Sequence, residues 1–73
     1  MAITVKDETR GLEVAMGPSE AQPGATNVTI FARDEYDVQQ VIFDLAEEYN
    51  HVVFTNPTRC SDRKWGAMGR VWQ

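Results

Sequence analysis

Between residues 34 and 49 the apolar side chains Val38, Val41, Ile42, Leu45, Ala46 and Tyr49 recur with a 3.6-residue period and make one stripe. A lone amphipathic helix has no helical neighbour to bury such a stripe, so the remaining residues must build the surface it lies on. Asp34 offers a carboxylate to the free N–H groups of a first turn, and Glu35 and Asp37 put negative charge at the positive end of the helix dipole. Asn50 tolerates the left-handed backbone that closes helices. The spacing therefore predicts a helix over Asp34–Tyr49.

Elsewhere the period is two. Ile3–Lys6 sets Ile3 and Val5 against Thr4 and Lys6, and Gly11–Met16 sets Leu12, Val14 and Met16 against Glu13 and Ala15. The polar run Asp7-Glu8-Thr9-Arg10-Gly11 between them suits a hairpin loop, so the two segments read as an antiparallel pair. Residues 17–26 hold two prolines, two glycines and no large apolar residue, and are expected to form a long loop. Asn27–Arg33 is a third strand, with Val28, Ile30 and Ala32 inward and Thr29, Phe31 and Arg33 opposite. His51–Thr55, β-branched and aromatic, is a fourth. The run 56–63 is polar, with Pro57 near its start, and reads as a loop. Lys64–Gln73, with Trp65 and Trp72 spaced by Gly66 and Gly69, reads as a strand carrying a bulge. The expected fold is α+β, in the order β-β-β-α-β-β: an antiparallel sheet of about five strands with the helix on one face. The other face is left wet or meets a partner.

Seventy-three residues suffice for one small domain, in which about 60–65% of the unfolded surface is buried. Apolar residues make up 42% of the chain, too many for disorder, yet no apolar run approaches the roughly 20 residues of a membrane span. The first ten residues lack the layout of a signal peptide. One cysteine, Cys60, precludes an internal disulfide and favours a reducing, cytoplasmic setting. One histidine, His51, with that one cysteine leaves a zinc site short of ligands, and no metal or cofactor is expected. Cys60 lies among Arg59, Arg63 and Lys64, cations that favour a reactive thiol, and with His51 it could formally make a nucleophile pair. No orienting third group, phosphate-cradling glycine loop or metalloprotease motif accompanies them, so the chain is read as a non-enzyme.

Charge divides the chain. Residues 1–58 carry ten acidic residues against Lys6, Arg10 and Arg33, a net of −7; residues 59–73 carry Arg59, Arg63, Lys64 and Arg70 against Asp62, a net of +3. On the helix, Asp37, Asp44 and Glu48 form an acidic stripe with Glu47 beside it. Tyr36 and Phe43 stand roughly 140–160° from the centre of the apolar stripe, so Tyr36, Gln40, Phe43 and Glu47 make a ridge that is part aromatic and part polar. Acidic faces with exposed aromatics suit docking on a basic protein surface, provided that no loop or C-terminal strand folds over them. Phe31 raises the same question on the uncovered sheet face. A second set, Arg59, Arg63, Lys64, Trp65, Arg70 and Trp72, combines stacking surfaces with phosphate-attracting charge, as single-stranded nucleic-acid binders do, against an acidic overall balance.

In kind, the chain resembles the compact, acidic, motif-poor proteins that phages encode to block host machinery, anti-CRISPR proteins among them. The resemblance is one of type and carries no site residue across. It implies a non-catalytic inhibitor acting in the host cytoplasm on a protein partner with a basic, nucleic-acid-binding surface, with no membrane involved. The basic segment Arg59–Arg70 departs from a pure nucleic-acid mimic. Two other readings stand beside it: a small nucleic-acid-binding or regulatory module built on that segment, and a structural subunit that dimerises through a sheet edge or the open sheet face.

Overall fold

A computed structural model describes the backbone of residues 3–7 and the whole of residues 11–73. The elements are β1 (Ile3–Asp7), β2 (Leu12–Pro18), β3 (Ala25–Ala32), α1 (Glu35–Glu48), β4 (His51–Phe54), β5 (Thr58–Ser61) and β6 (Lys64–Trp72). All strand pairs are antiparallel, in the order β1-β2-β3-β6-β4, and β5 also pairs with β6. Because β3 occupies one side of β6, β4 and β5 share the other and follow one another along a single edge. The sheet is thus five strand positions wide, with α1 crossing from β3 over β6 to β4. This is the expected α+β architecture.

The β3 alternation is the clearest link between sequence and burial. Val28, Ile30 and Ala32 are buried on the helix side, while Thr29 and Phe31 are half-buried on the other. They join Val38 and Leu45 of α1 and Ala67 and Val71 of β6 in the core, with Val52, Phe54, Trp65 and Tyr49 packed around it. Among the described residues, Ile30, Val28, Val38 and Val71 are the largest fully buried side chains, so the centre is narrow and mostly β-branched. On β2, Leu12, Val14 and Met16 are only half-buried. The side chains of Ile3, Thr4, Val5 and Lys6, and the turn residues Glu8, Thr9 and Arg10, lie outside the described residues.

Several expectations are corrected. The long loop of residues 17–26 shrinks to 19–24, because β2 and β3 keep pairing through Gly17↔Asn27 and Pro18↔Thr26. Ser19 closes the connection: its Oγ accepts from the Gln22 N–H at 3.2 Å and its N–H donates to the Ala25 carbonyl at 3.0 Å, while Gly24 takes φ +91°. The helix does not end on left-handed backbone at Asn50. Tyr49, at φ −109° and ψ 152°, is already extended, and the Asn50 N–H donates to the Trp72 carbonyl at 3.0 Å, so the sheet captures the chain directly. Ala46 is exposed rather than part of the buried stripe. Residues 58–61 form β5 instead of loop, and the irregularity expected in the last strand falls in its partner, between Arg59 and Ser61.

Candidate functional site

Asp34 starts α1 as the sequence suggests: its Oδ1 accepts from the Asp37 N–H at 2.9 Å. With Val38 and Leu45 turned into the core, 100° per residue carries positions 36, 40, 43 and 47 to the opposite side. Tyr36 is 66% and Phe43 59% exposed, so neither a loop nor the C-terminal strand covers them. Asp44, Glu47 and Glu48 are exposed, whereas Asp37 and Gln40 are half-buried. The helix has no basic residue, and among the described residues no cation pairs with Asp44, Glu47 or Glu48. The structure thus brings the seven residues of the first candidate set onto one helix surface.

The second candidate set is divided. Trp65 packs against the core on the helix side with Arg59 opposite it in register, whereas alternation along β6 places Lys64, Arg70 and Trp72 on the open face. Even there they are spread out. Lys64 and Trp72 are eight residues apart, roughly 26 Å at about 3.3 Å per residue. Each is also engaged: Lys64 Nζ sits 4.3 Å from the centroid of the Phe31 ring, and Trp72 lies against His51 with ring centroids 5.1 Å apart. Arg70 donates to Asn27 Oδ1 at 3.2 Å and to Gln22 Oε1 at 3.4 Å, while Arg59 pairs with Asp62 at 3.2 Å in the open. Arg63 stands exposed in the β5–β6 turn. Phe31 is half-buried, its ring lying over Gly66, where a Cβ would come within 3.0 Å of it.

Cys60 is free and exposed, its Sγ 3.7 Å from the Thr58 carbonyl. His51 pairs with Trp72, and Cys60 lies between residues paired with Trp65 and Lys64. The two are therefore roughly 25 Å apart along the edge and form no nucleophile pair. Among the described residues no group of three or more His, Cys, Asp or Glu side chains is placed to hold a metal ion, and no helix is long and apolar enough to cross a membrane.

Sequence reasoning did not foresee the groove beside Phe43. Gln39, Ile42 and Phe43 form one wall, and Phe54, Thr55, Asn56 and Pro57 the other, around a volume of about 240 Å³. Three residues, 55–57, stand opposite two on β6, because Phe54 pairs with Gly69 and Thr58 with Gly66. The extra residue makes a bulge that turns Asn56 and Pro57 out of the ladder. Thr55 pins its base: its N–H donates to the Met68 carbonyl at 2.9 Å and its Oγ1 accepts from the Met68 N–H at 3.1 Å. The signal for this bulge was Asn56-Pro57 between two strand-forming runs, which read equally well as the start of a loop. Comparison with protein families, with curated proteins and with solved structures finds no match for this chain.

Proposed function

We propose that this protein is a non-catalytic binding modulator whose outer α1 face docks on a basic, nucleic-acid-binding surface of a partner protein, in the manner of phage-encoded inhibitors such as anti-CRISPR proteins. The observation that carries the reading is the exposure of Tyr36 and Phe43, 66% and 59%, beside Asp44, Glu47 and Glu48, with which no cation pairs among the described residues. Two large aromatics standing in water on an otherwise polar helix face are costly to solubility and supply the buried anchors that dominate interface energies. Asp44, Glu47 and Glu48 around them add long-range attraction to a basic surface, and competition with nucleic acid follows from charge of the same sign.

The test is charge reversal on the helix. In Asp44→Lys/Glu48→Lys, affinity for a partner captured from nuclease-treated host lysate should fall by about tenfold or more, and the remaining binding should depend less on salt. Unchanged affinity and an unchanged salt slope would remove the helix face from the interaction. A partner lost on nuclease treatment would transfer the function to the basic C-terminal segment and its nucleic-acid reading.

A further inference from the structure

The groove between α1 and the β4–β5 bend has a shape and a rim that specify more than a basic surface. We infer that it receives one bulky apolar side chain from an extended, basic segment of the partner protein. This inference rests on the docking role proposed for α1 and names what that face recognises.

The groove is a constructed feature. Gly69 leaves the space in which Phe54 lies across β6; a Cβ there would meet the Phe54 ring at 2.5 Å and the Val53 carbonyl closer still. The bulge at 55–57 raises Asn56 and Pro57 as the outer wall, and Ile42 and Phe43 supply the inner one. Ala46, exposed on the same side of the helix one turn further on, keeps that end low and open. The volume of about 240 Å³ has room for a leucine- or phenylalanine-sized side chain.

Along α1, a carboxylate stands on either side of the groove wall. Glu35, whose Oε1 accepts from Gln39 Nε2 at 3.4 Å, stands one helical turn before the groove wall, and Glu47 stands one turn after Phe43. None of the groove-lining residues is charged. At about 1.5 Å per residue, Glu35 lies roughly 12 Å and Glu47 roughly 6 Å from Phe43 along the axis. An extended chain, at about 3.3 Å per residue, matches this with one cation about two residues from the apolar side chain and another three to four residues away on the other side. The occupant is thus a short strand of partner chain with an apolar residue between lysines or arginines. A loop of a nucleic-acid-binding surface has that chemistry.

The experiment uses the whole protein, isotope-labelled, and the synthetic peptide acetyl-Lys-Ser-Ser-Ser-Leu-Ser-Lys-amide followed by amide chemical shifts. Shifts are expected to centre on Gln39, Ile42, Phe43, Thr55 and Asn56. Replacing the peptide leucine by serine, or Phe43→Ser in the protein, should weaken binding roughly tenfold. Phe43 is exposed, so Phe43→Ser leaves the fold intact and isolates the groove. Equal binding of the leucine and serine peptides, with shifts spread over the helix carboxylates, would overturn the groove and leave the acidic docking face standing. Shifts at neither place with both peptides would overturn the groove, and the capture experiment then decides the docking role separately.

Discussion

Gly69 shows how one residue ties the sheet to the proposed site. Without a side chain it lets β4 approach β6 and lets Phe54 lie flat where it forms a groove wall. Gly69→Ala would press a methyl group against the Val53 carbonyl, a backbone atom that cannot rotate away. The expected loss is about 1–3 kcal/mol, read from the midpoint of chemical denaturation, with the amide shifts of Phe54 and Thr55 displaced. An unchanged midpoint would mean that the edge strand yields easily. Single residues were also where sequence reading was weakest. Ala46 fits the apolar period but lies over the edge of what the sheet covers, and Asn50 fits a left-handed cap but instead donates its N–H to the Trp72 carbonyl. In both cases tertiary packing decides, and no local pattern carries that information.

Among elements, α1 was the most legible, because its cap, its charged first turn and its stripe agree. The Asp34 cap is expected to contribute about 1 kcal/mol, so Asp34→Ala should lower stability by that amount in thermal or chemical unfolding while leaving the sheet pairing intact. No change would mean that Glu35 or solvent satisfies the first turn equally well. Strands β1, β2, β3, β4 and β6 were legible through alternation or β-branched runs. Strand β5 was not, since every one of its four residues is exposed and no alternation can be written on a strand with two wet faces. Its neighbour Pro57 and the bulge also break the pattern that would have joined it to β4. The helix-face candidates could be read from angular spacing alone, whereas the groove could not, because its second wall depends on how the edge strand bends.

For the molecule as a whole, the asymmetry of charge along the sequence becomes an asymmetry of surfaces. Asp44, Glu47 and Glu48 of α1 are exposed on the helix side, while Lys64 and Arg70 lie on the open face with Met68 and Val53, 63% and 54% exposed. The two tryptophans expected to work together are separated by the sheet itself, which weakens the nucleic-acid reading without touching the charge argument. The docking account therefore places function on the helix side, in residues that contribute little to the core. Tyr36→Ser/Phe43→Ser should consequently leave stability within about 0.5 kcal/mol of the parent.

That separation of binding from stability makes one measurement decisive: parallel capture from nuclease-treated host lysate with the parent protein and with Tyr36→Ser/Phe43→Ser, after both are shown to unfold at the same midpoint. The account predicts a discrete protein partner retained by the parent and lost by the variant. Retention of the same partner by both proteins would contradict it and shift attention to the open sheet face.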